Sequence, residues 1–191
     1  MADIKTERNR RRRRRRIQVV IIYTAIAVGL AWFFESQATT TVLFVRHAEM
    51  SGLPADDPGL NQVGQRRASE LARQLVDADV VAGIDAVYST PLRRSVETAK
   101  PVAEALDLAV RSYDIADTEA FVEALVREHK GKIVLVVGHN DTLPEIIGNM
   151  GASKVVPPIA DDEYDNIYLV SIPWFGKTKT IRLRYGEPYR P

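Results

Sequence analysis

The sequence predicts an α/β protein: a three-layer α/β/α sandwich around a mostly parallel central sheet, preceded by one transmembrane helix. Three observations predict it. A run of arginines abuts an apolar stretch of membrane length. Beyond residue 40, short β-branched runs alternate with amphipathic helical patterns, and polar clusters sit where several of the short runs end. The length of 191 residues suits one membrane segment and one domain of about 150 residues.

Residues 1–16 form a basic tail containing Lys5, Arg8 and seven consecutive arginines at 10–16. The eighteen residues of 17–34 carry no charge, and as a helix they span about 27 Å, close to a hydrocarbon core of roughly 30 Å. Trp32, Phe33 and Phe34 stand at the far end, where an aromatic belt lies. Arginines before the stretch and Glu35 after it orient the helix by the positive-inside rule. The tail is therefore expected in the cytoplasm and the domain in a periplasmic or other extracytoplasmic space. Ser36-Gln37-Ala38 also fits a small-x-small cleavage site, but the apolar stretch exceeds the roughly 7–15 residues of a signal core, so an uncleaved signal-anchor is the stronger reading. Beside such a stretch the arginines read as a topological anchor that favours anionic headgroups, not as a nucleic-acid-binding tail.

The remaining chain has a different balance. Residues 1–40 hold nine of the 26 Lys/Arg and three of the 25 Asp/Glu, which leaves 17 and 22 for the rest, a net of about −5. Such a body gives no support to nucleic-acid binding, which needs a basic face. Hydrophobic residues at 46% and charged residues at 27% are the balance of a globular chain. There is no cysteine, which excludes disulfides, thiolate metal sites and a cysteine nucleophile. No internal repeat is present.

The domain, 40–191, opens with a buried strand at 41–47, followed by a loop at 50–59 rich in proline and glycine. An amphipathic helix spans 61–77, with Ala68, Leu71, Ala72 and Leu75 on one face. A short strand at 85–89 leads to a helix with Pro91 as its first residue, running to about Leu106. Thr118 caps a further helix through Glu128, and Gly131 follows its end. His129, at that helix end, is expected exposed and facing the helix dipole. The run 133–137 is the strongest buried strand, followed by a short helix at 143–149. Two strands near 166–172 and 178–185, joined through Pro173 and Gly176, close the domain.

In open parallel sheets ligands bind beyond the carboxyl ends of the strands. Arg46-His47 ends the first strand, Ser89-Thr90 ends the second and runs into Arg93-Arg94, and His139-Asn140-Asp141 follows 133–137. Together they make a cationic cleft suited to phosphate, because the planar arginine fork bonds two phosphate oxygens at once. An imidazole there can attack phosphorus and carry the phosphoryl group covalently.

Val45-Arg-His-Ala-Glu49 resembles the signature of the histidine phosphatase superfamily, which includes the phosphoglycerate mutases. Ser89-Thr-Pro-Leu-Arg-Arg-Ser-Val-Glu-Thr-Ala99 is similar to that family's segment with an arginine four residues before Thr-Ala, and Val137-Gly-His-Asn140 to its second histidine motif. The three occur in the family's order. The resemblance implies that His47 is the nucleophile, that Arg46 and Arg94 clamp the phosphate, and that His139 bonds the phosphoryl oxygens. It implies no metal and no cofactor. For the general acid it points first to Glu119, with Asp117 beside it, and then to Asp141. Arg93 reads as solvated, Glu49 as a pocket residue or an ion-pair partner of an arginine, and Tyr164 and Asn166 as structural.

The resemblance thus implies a metal-independent phosphomonoester hydrolase with a phosphorylated substrate, held at the membrane through residues 17–34. A mutase needs a lid to keep water from its phospho-enzyme, and this chain has no room for one unless 50–59 or 151–165 serves. Two rivals remain: a protein phosphohistidine phosphatase, and a catalytically silent membrane scaffold that binds a phosphorylated partner. The substrate and the oligomeric state are not legible.

Overall fold

The computed structural model describes residues 2–36, 39–77, 83–152 and 155–190. The chain divides into two compact units, Met1–Ala38 and Thr39–Pro191. The first is one unbroken helix, α1 (Ala2–Ser36). Its stretch Arg10–Phe33 is long and apolar enough to cross a membrane, with a mean hydropathy of 1.7, and every side chain in it is exposed. Residues 37–38 of the candidate cleavage site lie outside the described residues, as do 153–154 of the segment 151–165.

The second unit runs β1 (Thr40–Arg46), α2 (Gln62–Val76), β2 (Ala86–Ser89), α3 (Arg93–Ala105), β3 (Val110–Ser112), α4 (Thr118–Glu128), β4 (Ile133–Gly138), α5 (Leu143–Asn149), β5 (Asn166–Ile172) and β6 (Lys179–Arg184). The six strands form one sheet in the order β3-β2-β4-β1-β5-β6. Alternation along the strands supplies both faces. Val42 and Phe44 of β1 pack with α4 and α5 through Val122, Leu125, Ile146 and Ile147. Leu43 and Val45 pack on the opposite face with Leu71 of α2 and Val102 of α3. The expected three layers are present.

The sheet itself is mixed. β3–β2, β2–β4 and β4–β1 are parallel, whereas β1–β5 and β5–β6 are antiparallel. The mostly parallel expectation fits only the part built from helical crossovers. The short link 173–178 between β5 and β6 cannot carry the chain back across the sheet, so it joins an antiparallel pair.

Smaller departures also have physical causes. Pro91 lies before α3, whose N-cap is Leu92, and the helix carries Pro101 inside it instead. Asp117, not Thr118, caps α4 by accepting from the Ala120 N–H, while the Thr118 hydroxyl donates to Glu145 at 2.7 Å. β3 escaped the sequence reading because it has three residues, two of them exposed, and so shows no alternation. His129 is buried at 4% exposure, with Nε2 3.0 Å from the Tyr88 hydroxyl. The long Glu-His-Lys-Gly turn folds that imidazole inward against the Tyr88 ring rather than out to water.

Candidate active site

Strand pairing brings the two histidine motifs together. Arg46 lies opposite Gly138 across the parallel β1–β4 pair, and the His47 N–H donates to the Gly138 carbonyl at 2.9 Å. A Cβ at Gly138 would fall 2.8 Å from both Leu143 and the Tyr113 hydroxyl, so any larger residue there would push those side chains aside. His47 and His139 therefore leave neighbouring strand ends, with ring centroids 5.2 Å apart. From the next strand Thr90 joins them, its hydroxyl 3.0 Å from His139 Nε2. Buried Thr98 fixes α3 against the exit of β1, accepting from the Ala48 N–H at 2.9 Å and donating to the Arg94 carbonyl at 2.7 Å. That bond pair holds the first turn of α3, and with it Arg94, beside His47.

His47 is 3% exposed, and its Nδ1 lies 2.8 Å from the Ala48 carbonyl. A carbonyl only accepts, so Nδ1 carries the proton and Nε2 keeps the lone pair. Burial pushes the His47 pKa from 6.5 down to about 3, aided by the charges of His139, Arg46 and Arg94 and opposed by the Ala48 bond. Burial likewise lowers His139 to about 4, with Arg94 and Arg46 acting in the same direction and Asp141 opposing. Both rings are neutral near pH 7, the state an imidazole needs to act as a nucleophile.

The Arg46 guanidinium is held from the side of β5. One terminal nitrogen donates to the Ala160 carbonyl at 2.8 Å and to the Glu163 carbonyl at 3.2 Å, and the group stacks over Tyr164 at 4.1 Å. Tyr164 also lies 6.1 Å from the His47 ring. Burial lowers the Arg46 pKa, which Tyr164, Asp161 and Asp141 counter and Arg94 reinforces. Behind this loop, Arg184 of β6 donates to Asp165 at 2.7 Å and to Glu163 at 3.1 Å. The Nε atoms of Arg46 and Arg94 and Nδ1 of His139 are buried with no protein partner. Buried donors are almost always satisfied. Three such nitrogens on mutually interacting cationic and imidazole groups form a cradle for an anion with several oxygens.

The other sequence candidates separate. Glu119 is exposed in the first turn of α4 and Asp117 serves as that helix's cap, whereas Asp141 acts electrostatically on both His139 and Arg46. Asp161 joins it near Arg46 and accepts from Asn140 at 2.8 Å. Glu49 pairs with Arg67 at 2.8 Å. Arg93, largely exposed, pairs with Glu97 at 2.7 Å. Asn166 is buried at the start of β5. Tyr164, expected to be structural, packs its ring against the Arg46 guanidinium. Nothing in its local pattern signals this, because its place depends on the antiparallel return of β5. Among the described residues no group of three or more His, Asp or Glu is arranged to hold a metal ion.

Residues 42–115 match the family model described as the histidine phosphatase superfamily (branch 1). The segment includes His47 and Arg94. Phosphoserine phosphatase 1 from Hydrogenobacter thermophilus is 35% identical over 79 residues, 38% of this chain and 36% of that protein. The match thus spans about a third of that relative's length. Among solved structures, the protein histidine phosphatase SixA complexed with tungstate is similar with a TM-score of 0.61 and 21% identity, over 75% of this chain and 96% of that one. Phosphohistidine phosphatase SixA from Nakamurella multipartitia, named as putative, gives a TM-score of 0.57 at 19% identity, over 80% and 98%. Residues 42–115 thus resemble the histidine phosphatase superfamily (branch 1) in sequence, and the domain shares its fold with the two SixA structures. The fold presents the two histidine motifs and the arginine motif at one end of the sheet.

Proposed function

We propose that the domain hydrolyses phosphomonoesters through a phosphohistidine formed on His47. The observation that carries this reading is a neutral, tautomer-fixed His47 beside three buried nitrogens of Arg46, Arg94 and His139 that lack protein partners. His47 Nε2 attacks phosphorus and the bond from phosphorus to the ester oxygen breaks. A carboxylic acid gives its proton to the departing alkoxide. Water then attacks the phosphohistidine, the phosphorus–nitrogen bond breaks, Nε2 regains its lone pair, and the carboxylate takes the water's proton. Arg46, Arg94 and His139 hold the equatorial oxygens, where charge accumulates in transfer. Of the carboxylates weighed from sequence, Asp141 fits the acid–base role better than Glu119, since its charge reaches the cluster.

The chain is proposed to be anchored by α1 with residues 1–16 in the cytoplasm, on the strength of the arginine run and the apolar stretch behind it. A second reading, dephosphorylation of a phosphorylated protein, draws on the fold likeness to the protein histidine phosphatase SixA. Substrate preference between a small ester and a phosphohistidine protein separates the two. The mechanism is tested by single-turnover labelling of the full chain in detergent with a generic aryl phosphate. The expected result is an acid-labile, base-stable phosphoryl adduct present in wild type and missing in His47→Ala. No adduct and no released phosphate across a panel of esters and phosphoproteins would overturn it in favour of a silent phosphate-binding scaffold. A C-terminal reporter that works only in the cytoplasm would overturn the topology.

A further inference from the structure

The β5–β6 turn exposes two large aromatic side chains at the end of the domain remote from His47. Gly176, at a φ of 116°, bends the chain as other residues resist doing, so that Trp174 and Phe175 project at 52% and 85% exposure. The strand register locates this turn. Thr40, the first residue of β1, pairs with Ile172, the last of β5, while Arg46 at the other end of β1 marks the active site. Seven residues of strand separate the two ends, about 20 Å at strand rise.

Cationic groups gather at the same end. Lys177 and Lys179 follow the aromatic pair, and Lys130 and Lys132 belong to the α4–β4 turn. That turn is tied to the start of β1: the Thr41 N–H donates to the Lys132 carbonyl at 2.9 Å and the Gly131 N–H to the Thr40 hydroxyl at 3.0 Å. All four lysines are exposed. The acidic residues beside them are Glu128 and Asp85, the latter accepting from the Ile133 N–H at 2.8 Å. Exposed aromatic rings ringed by lysines match a bilayer interface, where tryptophan sits at headgroup level and lysine meets anionic phosphates.

We propose that the Trp174–Phe175 turn and the lysines around it dock the domain onto an anionic lipid surface, as a contact additional to α1. Covalent structure names the occupant. In sequence, Thr40 follows the membrane-length helix after only three residues, so this end of the domain is tethered close to whatever bilayer α1 enters. The inference rests on the anchoring reading and extends it. Docking by this end turns His47 away from the lipid, so the ester arrives from the aqueous side as a soluble or macromolecular phosphate, not as a headgroup of the same membrane.

The test uses the full chain in vesicles of seven parts phosphatidylcholine to three parts phosphatidylglycerol, carrying a protease site inserted at Ala38. Retention of the intact chain through an alkaline wash reports on α1. After cleavage, sedimentation reports on the freed domain. We expect the wild-type domain to remain with the anionic vesicles at low salt, and to be released at least ten-fold more readily by Trp174→Ser/Phe175→Ser or by pure phosphatidylcholine. Turnover of a soluble ester should be unchanged in that variant, which shows that it is folded. The sequence has two tryptophans, so in Trp32→Phe the remaining Trp174 should be quenched by brominated lipid. A freed wild-type domain that leaves anionic vesicles as completely as the variant, with Trp174 unquenched, would overturn the proposal and point to a protein partner for the turn. Loss of the intact chain in the alkaline wash would instead count against α1 as anchor.

Discussion

The two ends of the sheet each bury histidine, and only one of them looks catalytic. At the carboxyl ends of β1 and β4, His47 and His139 stand among guanidinium groups whose Nε atoms have no protein partner. At the amino end of β4, His129 is equally buried, and burial lowers its pKa too, with help from Arg111 and Lys132. Its Nε2, however, faces the Tyr88 hydroxyl, and its carbonyl accepts from Thr40 and from the Lys132 N–H. Burial and a depressed pKa are therefore shared properties of the three. What separates them is the company: two arginines with buried, unpartnered Nε atoms at one end, and at the other a phenol on Nε2 that itself accepts from Arg111, although His129 Nδ1 is also unpartnered.

Substitution should separate the ends further. His47→Ala is expected to reduce turnover at least ~10³-fold while leaving the thermal midpoint near wild type, because in the proposed mechanism His47 supplies the nucleophile. His129→Phe should do the opposite. Turnover should stay within about three-fold, and the unfolding free energy in urea should fall by about 1–3 kcal/mol as the Tyr88 hydroxyl loses its imidazole partner and keeps only Arg111. A large catalytic loss in His129→Phe would erase the distinction.

Next in size are the two arginines proposed to hold phosphate. Arg94→Ala should lower kcat/KM by about 10²–10³-fold, the scale for removing one donor from a preorganised oxyanion site. Arg94→Lys should recover little, since a point charge cannot reproduce the fork. The same steady-state assay locates the acid: Asp141→Asn should lose activity, while Glu119→Gln should match wild type. The reverse pattern would restore Glu119.

How much of this was legible beforehand follows the range of the interactions. His47, Arg46, Arg94 and His139 sit in local motifs whose spacing is visible in the chain, and the parallel β1–β4 pair then brings them together. The helix at 61–77 was readable because Asn61 caps it and its apolar residues keep one face. The antiparallel half of the sheet was less so. Its strands have ordinary alternation, but their direction depends on which neighbour they meet, and Tyr164 reaches Arg46 only through that choice. His129 was misjudged for a related reason: a histidine at a helix end carries no sign of the Tyr88 ring that covers it.

That long-range half offers a milder test. Arg184→Met removes the side chain that holds Glu163 and Asp165, and so loosens the loop whose carbonyls orient Arg46. The expectation is a KM raised several-fold with kcat nearly unchanged, and a similar effect in Tyr164→Ala but not in Tyr164→Phe, which keeps the ring. A fall in kcat at constant KM would mean that the loop acts on the reaction step instead of on phosphate capture.

The last test concerns acid stability. His47 and His139 titrate near 3 and 4 in the folded domain, against 6.5 for the free side chain. Below pH 6.5 the unfolded chain therefore binds protons that the folded chain refuses, and stability falls as pH falls through the window between 6.5 and about 4. Each histidine contributes up to about 1.4 kcal/mol per pH unit there. The lowered carboxylate of Asp165 adds its own loss, but only around and below its ordinary value of 3.8. Urea midpoints at pH 7 and pH 5 should thus differ in wild type and differ less in His47→Gln, where one refused proton is gone. An identical pH dependence in the two would mean that His47 takes up its proton in the folded state, and that the buried cradle is wetter than its packing implies.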